Sequence, residues 1–557
     1  MSYIDGDERG QMSLFPAAID DYIAPDSPVR VIDAFVASLN MPELGFSRSL
    51  AAETGRPGYD PRDLLRLYLY GYLNGVRSSR RLATECKRNL EVMFLLRKLM
   101  LDFRTISDFR KDNAEALKLA FDAFVRFCDS QELYGKELFA IDGAKIRASN
   151  AKRHAYNKKI LEDKIARIEG HVEEWLKDLD VMDAKEKDGR SYSKEEIAAI
   201  VDVLSQRKAT FEGYLKEIGD NKETQILTTD PEARVMKSKD GYHASYNAQT
   251  VVDAKNKLLA EIKVTNSCND LNLMHEVSED AKKKLDVETV ELEADKGYDD
   301  NDEIKQCLLD GALAQVAIRG DNEERVLVLE HVRAEIDDQT KASTKPEDIE
   351  KCLRAGILPD CYAGKNVEVR LETPDDSGKD LSYFIRNSDD SVTCPMGEIL
   401  TKVKQRGDST IYQNIKACNK CKHKCGSFRR YKTVLFAKDA QAVAVKMPSG
   451  SNKDCNIQGL PPGVEVNPGN HNLHTTNSGG RPRVLIIIKS DKYRQLERKC
   501  IVEHPFGAIK RALGFTYFLL RGSEKTQGEA SLMGLVYNMK RAINILGTQK
   551  MLAALSV

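Results

Sequence analysis

The sequence has no long apolar run, almost no net charge and no dense set of cysteines. Its longest strongly apolar run, Val484 to Ile488, is far too short to span a bilayer. The polar, acidic N-terminus shows no targeting segment. Twelve cysteines in 557 residues do not form the disulfide framework of a small secreted protein. We therefore expect a cytoplasmic protein with no membrane partner.

The formal net charge of −1 conceals strongly basic segments. Residues 77–111 carry ten Lys or Arg against four acids, residues 402–432 carry ten against one, and residues 481–511 carry nine against three. Segregated positive blocks in a neutral chain are typical of phosphate-binding surfaces. Solvated surface charge explains any one block, but it explains three poorly. These blocks therefore favour a nucleic-acid partner.

A chain of this length exceeds what one core accommodates, so we expect several structural units. Apolar spacings of three and four, and the caps Ser27-Pro28 and Tyr59-Asp60-Pro61, predict short helices compatible with a helix-turn-helix DNA-binding domain. Strand and helix patterns then alternate around acidic residues, which predicts a mixed α/β core. The predicted pieces are a helical domain over 1–130, a first core part over 131–320 with a helical hairpin inserted at 152–222, a loop- and β-rich insertion over 321–480, and a second core part with a C-terminal helix over 481–557.

Three acids stand at the edges of these predicted elements. Asp142 ends the apolar run Leu138 to Ile141, Asp295 ends the run Val290 to Ala294, and Glu503 lies beside a basic helical pattern. A buried carboxylate is costly without a partner or a function, although an aspartate that opens a turn is an equally common arrangement. Three carboxylates of this kind suit Mg²⁺, and two such ions about 4 Å apart stabilise the attacking and leaving oxygens of phosphoryl transfer.

The densest group of potential metal ligands is Cys418-Asn-Lys-Cys421-Lys-His-Lys-Cys425, with Cys394 upstream. Four thiolates at such spacing satisfy tetrahedral Zn²⁺, and His423 or Cys455 could replace one of them. The alternative is a set of free thiols in a basic loop. The spacing therefore predicts a structural zinc site, and it argues against a catalytic one.

Five motifs span nearly the whole chain in a fixed order. They are Phe139-Ala-Ile-Asp142-Gly143, Gly241-Tyr-His-Ala-Ser-Tyr246-Asn247-Ala-Gln249-Thr, Ala294-Asp295-Lys-Gly-Tyr298, Val502-Glu503-His-Pro-Phe-Gly507-Ala-Ile-Lys510-Arg511, and Arg521-Gly with Tyr537-Asn-Met-Lys-Arg541. As a set they resemble the DDE-type transposases of bacterial insertion sequences, with a helical transposase N-terminal domain before the DDE domain.

This resemblance implies a ribonuclease H-like core with two aspartates on strands and the glutamate on a following helix. Asp142, Asp295 and Glu503 would hold two Mg²⁺ or Mn²⁺ ions, with Glu497 and Glu529 as alternatives for the third acid. In related transposases a tyrosine and an arginine precede the glutamate and a lysine follows it. Lys510 matches that lysine and Lys499 stands at the arginine's position, but Leu496 replaces the tyrosine.

The implied function is a transposase that binds the terminal inverted repeats of its element, cleaves there and joins the ends to target DNA. The partners would be double-stranded DNA and further copies of the chain, as a homodimer or larger assembly at the bacterial nucleoid. The predicted DNA contacts are Lys499, Lys510 and Arg511 near the acids, and Arg77, Arg80, Arg81, Lys87 and Arg88 in the N-terminal helices. The alternatives are a nuclease of the same core without strand transfer, and a non-catalytic DNA-binding protein derived from a transposase.

Overall fold

The structure, a computed structural model, describes residues 18–50, 58–151, 154–184, 194–220, 225–238, 241–318, 324–372, 381–387, 389–394, 398–406, 409–420, 433–437, 442–446 and 483–556. The chain divides into two compact units, one formed by residues 1–321 with 490–557 and the other by residues 322–489. Within the described residues, no helix combines the length and the apolar character that crossing a membrane requires.

The first unit begins with six helices, whose starts follow local capping chemistry. Ser27 and Asp60 cap the first two helices with their side chains, as predicted, and a proline follows each cap. Asp102 caps the fifth helix, because its carboxylate accepts hydrogen bonds from the amides of Arg104 and Thr105. The helices are α1 Pro28–Ser38, α2 Pro61–Leu73, α3 Ser79–Arg88, α4 Leu90–Leu95, α5 Phe103–Asp112 and α6 Ala114–Ser130.

A mixed sheet forms the centre of this unit. Its strands are β1 Leu138–Arg147, β4 Arg234–Ser238, β5 Gly241–Asp253, β6 Leu259–Thr265, β7 Val290–Ala294 and β8 Ala312–Val316, and a separate two-stranded sheet pairs β2 Ala155–Asn157 with β3 Gln225–Leu227. The order is β4-β5-β1-β7-β8, with β6 also paired to β5. β5 runs antiparallel to β1, β4 and β6, whereas β1, β7 and β8 are parallel. The predicted mixed α/β class is confirmed.

Helices surround this sheet and extend from it. The predicted hairpin consists of α7 Lys158–Ala184 and α8 Lys194–Asp220, while α9 Met274–Leu285 and α10 Asn301–Leu309 connect the parallel strands. The C-terminal part contains α14 Lys492–Gly507, a π-helical turn at Ala508–Ala512, α15 Ser523–Leu546 and α16 Thr548–Leu555. Predicted and observed bounds agree closely for β7.

One strand differs from its prediction in a way that affects the acids. The apolar run indicated that the first strand ends before Asp142, yet β1 continues to Arg147 because it pairs with β5 along its whole length. On its other side, β1 pairs with β7 only from Leu138 to Ala140. Asp142 therefore lies within a strand that is paired on one side and open on the other.

The second unit is rich in strands, as predicted. One sheet has the order β10-β17-β9 and another β15-β14-β13-β12-β11-β16. The elements are β9 Glu324–Glu330, α11 Asp338–Ala342, α12 Pro346–Arg354, β10 Val367–Glu372, β11 Leu381–Arg386, β12 Val392–Thr393, β13 Ile399–Arg406, β14 Ser409–Gln413, α13 Ile415–Lys420, β15 Thr433–Ala437, β16 Ala442–Lys446 and β17 Arg483–Lys489. A small apolar cluster of Phe384, Val392, Leu400, Tyr412 and Val434 packs inside the larger sheet.

Glu529 on α15 connects the N-terminal helices to the core. It is fully buried, and its Oε1 lies 3.0 Å from Arg77 Nη2 and 3.1 Å from the Tyr72 hydroxyl. Its Oε2 accepts from the amides of Leu519 and Leu520. This carboxylate therefore holds α2, the segment before α3 and the segment before α15 at one point.

The guanidinium of Arg77 is enclosed at the same point. It donates to the carbonyls of Gly514 and Tyr517, and it lies 4.4 Å from the centre of the Phe515 ring. Arg77 is only 7% exposed. Its charge is therefore directed at Glu529 rather than at solvent.

We expect Arg77→Met to lower the free energy of unfolding by about 3 kcal/mol, because it removes the nearest cation from a buried carboxylate. Arg110, at 3.9 Å from Glu529, compensates only in part. Hydrogen exchange measured by mass spectrometry should show faster exchange in α2 and α15. The control Arg81→Met, at an exposed position of α3, should change stability by no more than about 0.5 kcal/mol. Equal effects of the two variants would contradict this role.

Candidate active site

The two predicted catalytic aspartates lie side by side at one edge of the sheet. In the parallel pairing of β1 with β7, Ala140 is opposite Glu293. Continuing this register by two residues places Asp142 opposite Asp295, which directly follows β7. Neighbouring strands are about 4.8 Å apart, so the two backbones are in lateral contact range. The sheet therefore brings together two acids that are far apart in the sequence.

The electrostatics of Asp142 reflect this crowding. Burial raises the pKa of Asp142 to about 6, and the negative charges of Asp295 and Asp270 add to the rise. The Arg498 guanidinium and the Gly143 amide, which donates to Asp142 Oδ1 at 2.9 Å, lower it. The carboxyl group is thus held in a place where negative charge is only partly compensated.

Asp270 contributes a third carboxylate from the loop between β6 and α9. Its Oδ1 accepts three hydrogen bonds, from Lys145 Nζ at 3.0 Å, Asn247 Nδ2 at 2.7 Å and Gln249 Nε2 at 2.9 Å. Three donors to one oxygen fix the direction of the carboxylate. Asp270 is therefore a rigid part of the site, although no sequence motif pointed to it.

Two glycines make room for Asp270. A Cβ atom at Gly143 would lie 2.7 Å from Asp270 Oδ1, and one at Gly297 would lie 3.2 Å from Asp270 Oδ2 and 2.8 Å from Asp295 Oδ1. Side chains do not approach so closely, so a larger residue at either position would displace the acids. The glycines of the Asp-Gly and Asp-Lys-Gly motifs thus let Asp270 lie between the two segments that carry Asp142 and Asp295.

The motif on β5 supports the same arrangement. The fully buried Tyr298 donates its hydroxyl hydrogen to Gln249 Oε1, and Thr250 Oγ1 donates to the carbonyl of Asp142 at 3.2 Å. Burial raises the pKa of Tyr298 well above its ordinary value, so its hydroxyl remains a donor. Gln249 and Thr250 therefore connect the segment after β7 to β1 through hydrogen bonds. These hydrogen bonds position Asp142 and Asp295.

Two arginines on α14 face the acidic side of the sheet. Arg498 Nη1 lies 3.8 Å from Asp142 Oδ2, and Arg498 is 9% exposed. One turn earlier, Arg494 lies 3.5 Å from Glu291 and 3.9 Å from Glu293. Side chains four apart lie on one face of a helix, so α14 directs both cations at the sheet.

Glu293 is the most deeply buried acid of this face. It is 2% exposed, and neither of its carboxylate oxygens accepts a hydrogen bond. Burial raises the pKa of Glu293 to about 7; Glu497 adds to the rise, while Arg494 and Arg498 oppose it. A buried carboxylate with two unsatisfied oxygens destabilises the fold, so a functional role would explain why an acid stands at this position.

The third predicted acid lies on a different side of α14 from Arg498. Glu503 is exposed on α14, and five residues of helix place it about 140° around the axis from Arg498. Of the two alternatives, Glu529 belongs to the buried contact with Arg77, and Glu497 lies 3.6 Å from Arg494. Glu503 as the third carboxylate stays a prediction.

The predicted phosphate-binding cations near the acids lie at the surface. Lys499 and Arg511 are exposed, and Lys510 Nζ, at a half-buried position, lies 5.7 Å from the centre of the Phe506 ring. Tyr493 and Leu496 are also exposed on α14, at 76% and 60%. These residues remain available for a contact with DNA.

Four of the five cations predicted to bind DNA in the N-terminal helices are exposed, and one is buried. Arg80, Arg81, Lys87 and Arg88 are exposed on α3, and Arg88 forms an ion pair with Glu85 at 2.5 Å. Arg77 differs from this expectation, because it is buried against Glu529 as described above. We therefore leave Arg77 out of the surface that faces solvent.

The three acids predicted to bind magnesium, and two of the four cysteines predicted to bind zinc, lie within the described residues. Among the described residues, no three or more His, Cys, Asp or Glu side chains lie close enough together to hold a metal ion. Cys394 and Cys418 are half-buried in the second unit, while Cys421 and Cys425 lie outside the described residues. The structural zinc site therefore stays a prediction.

Comparison with known proteins identifies the N-terminal part. Residues 17–112 match the family described as "Transposase domain (DUF772)". Among solved structures, the chain is similar to one titled "Cryo-EM structure of piggyBac transposase synaptic complex with hairpin DNA", with 9% identity, coverage of 95% of this chain and 79% of that chain, and a TM-score of 0.27. A likeness at that TM-score carries no argument about the fold. Comparison with curated proteins gave no significant match. The match over residues 17–112 supports a transposase.

Three residues of the site were not predicted from the sequence. Asp270 lies in a loop without periodic pattern, so no signal in the sequence identified it. Glu293 could have been recognised, because Glu293 and Asp295 alternate with apolar residues and so share one face of β7. Arg498 was not predicted, because its neighbour Lys499 stands at the position of the arginine that the resemblance implies.

In metal-free protein, we expect the carboxyl group of Asp142 to titrate near pH 6. Asp295→Asn should lower this pKa because it removes a negative neighbour, and Arg498→Gln should raise it because it removes a positive one. Since the pKa is raised above 3.8, the associated stability is present below that pH and is lost as the pH rises through about 6. Carbon-13 NMR of aspartate-labelled protein in chelator measures the titration, and Asp142→Asn identifies the signal. Shifts of the same sign in both variants would contradict the assignment.

Proposed function

We propose that this protein is a DDE-type transposase of a bacterial insertion sequence, which cleaves DNA at the ends of its element and joins them to a target. The observation that carries the proposal is the parallel pairing of β1 with β7, whose register, continued two residues past its last pair, sets Asp142 opposite Asp295. The match of residues 17–112 to a transposase domain supports the same function independently. A ribonuclease H-like core, with two aspartates at adjacent strands and Glu503 on a later helix, is part of this proposal.

The acidic edge fits divalent cations. Mg²⁺ is held by one or two protein carboxylates together with water and substrate phosphates, so Asp142 and Asp295 suffice as its first protein ligands. Burial, together with the charges of Asp295 and Asp270, raises the pKa of Asp142, and both oxygens of the buried Glu293 lack a hydrogen-bond donor. A cation bound at this edge would offset both costs. Two Mg²⁺ or Mn²⁺ ions bound there with Glu503 would supply an activated water and stabilise the leaving oxygen.

The chain's own residues orient this chemistry. Lys145, Asn247 and Gln249 hold Asp270, and the enclosed Asp270 keeps the segments of Asp142 and Asp295 at fixed separation. The exposed Lys499 and Arg511, together with the half-buried Lys510, would bind the phosphates of a DNA end. Phosphate contacts position DNA without reading its sequence, so recognition of the terminal repeats is assigned to the N-terminal helices.

The exposed side of α3 is the proposed recognition surface. Its cations are Arg80, Arg81, Lys87 and Arg88, and the Arg80 guanidinium lies 5.3 Å from the centre of the exposed Phe103 ring. Double-stranded DNA is therefore the proposed partner at the element ends and at the target. Synapsis of two ends would require a homodimer or a larger assembly, and a structural Zn²⁺ at Cys394, Cys418, Cys421 and Cys425 is proposed for the second unit.

We expect Asp142→Asn, Asp295→Asn and Glu503→Gln each to slow cleavage of an element end by about 10³-fold or more, because each removes several kcal/mol of transition-state stabilisation. Binding of the uncleaved end should change little. The control Asp302→Asn, at a site whose side chain is 94% exposed, should retain full activity.

The assay uses a labelled element end, a supercoiled target and Mg²⁺. Joined products identify a transposase, and cleaved ends that are never joined identify a nuclease. Binding without either reaction in the wild-type protein would identify a non-catalytic DNA-binding protein and contradict the proposal. Full cleavage by Glu503→Gln would remove that residue alone from the acid set.

Arg80→Gln with Arg81→Gln should weaken binding of the full-length protein to its element ends and flatten the salt dependence. Each lost phosphate contact reduces the log–log slope by about 0.9, so the double variant should lose nearly two units. Fluorescence anisotropy over a range of salt concentrations measures the slope. The charge-matched control Lys283→Gln with Lys305→Gln, on α9 and α10, should keep the wild-type slope. An unchanged slope in the α3 variant would move the recognition surface elsewhere.

A further inference from the structure

Two acids of the site share one buried cation. Arg498 lies 3.8 Å from Asp142, and its charge also acts on Glu293. Its Nη1 atom is buried and donates no hydrogen bond, so the contact with Asp142 is electrostatic and incompletely formed. No hydrogen bond therefore fixes the Nη1 atom to Asp142.

Glu293 is placed to receive that guanidinium. It lies on the same face of β7 as Asp295 and two residues before it, which is about 7 Å along the strand. Its strand neighbour on β1 is the small residue Ala140, and the charges of Arg494 and Arg498 on α14 both act on its carboxyl group. Both oxygens of Glu293 are unsatisfied, although it is 98% buried. Its ion pair with Arg494 is long, at 3.9 Å.

We propose that Arg498 is a resident counter-cation of Asp142 that passes to Glu293 when a divalent ion binds at Asp142 and Asp295. In the metal-free protein the guanidinium stabilises the crowded carboxylates at the sheet edge. The arriving ion has the stronger field and repels it, and Glu293 provides the acceptor. Arg498 and Glu293 are thus positioning residues of the site. This inference rests on the metal site of the proposed function.

The proposal sets opposite signs for two substitutions. Arg498→Gln removes a cation that competes for Asp142, so it should raise the affinity for Mn²⁺ by about tenfold. Glu293→Gln removes the acceptor, so the guanidinium stays on Asp142 and the affinity should fall by about fivefold. In the double variant the Glu293 substitution should have no further effect, because no guanidinium remains to be moved.

These affinities are measured by titrating the full-length, DNA-free protein with Mn²⁺. Electron paramagnetic resonance gives the concentration of free Mn²⁺ at each step. Arg498→Lys keeps the positive charge and should stay near wild type. Asp302→Asn removes an acid whose side chain is 94% exposed, and it should also change little. Circular dichroism checks that each variant is folded, and Arg498→Met replaces Arg498→Gln if the latter is not.

Each outcome decides the question. A Glu293→Gln effect that persists in the Arg498→Gln background would show that Glu293 acts by its own charge, and it would overturn the exchange. An Arg498→Gln variant whose Mn²⁺ affinity is unchanged or lower would also overturn the exchange. If Asp142→Asn abolishes Mn²⁺ binding in the same experiment, the metal site of the proposed function stands. Wild-type protein that binds no Mn²⁺ at Asp142 contradicts the exchange and the proposed metal site together.

Discussion

The parallel pairing of β1 with β7 is the constraint on which the site depends. It sets two distant aspartates opposite each other, and pairing of β1 with β5 continues past the point where β7 ends. Asp142 is therefore held on one side by a continuous ladder, and its other side is open toward Asp295. The raised pKa of Asp142, the enclosed Asp270 and the two arginines of α14 are all consequences of bringing like charges to that edge.

Most of the residues that position the acids carry no charge. Gly143 and Gly297 supply space, Gln249 and Tyr298 supply directed hydrogen bonds, and Thr250 fixes the backbone of Asp142. This division explains why the motifs of the sequence contain glycine, amide and tyrosine next to each aspartate. The acidic residues determine the chemistry, and their neighbours determine how closely they approach.

Much of the fold followed from local signals, whereas the site followed only in part. Caps at Ser27 and Asp60, the run Val290 to Ala294 and the helical hairpin were predictable, because capping and apolar periodicity are properties of neighbouring residues. The extension of β1 to Arg147 was not, since it depends on pairing with a strand about a hundred residues away. Asp270 and the burial of Arg77 were missed for the same reason: a loop acid and an arginine look solvent-exposed in sequence, and only long-range packing shows their partners.

The contact between Arg77 and Glu529 has a consequence for how the protein can be divided. The N-terminal helices end at Ser130, yet the carboxylate that neutralises Arg77, and lies near Arg110, comes from α15, some four hundred residues later. A truncated fragment that stops after α6 would keep both arginines and lose their carboxylate. Expression boundaries drawn by sequence order would therefore cut through a single core. A design that respects this packing keeps residues 490–557 together with residues 1–321.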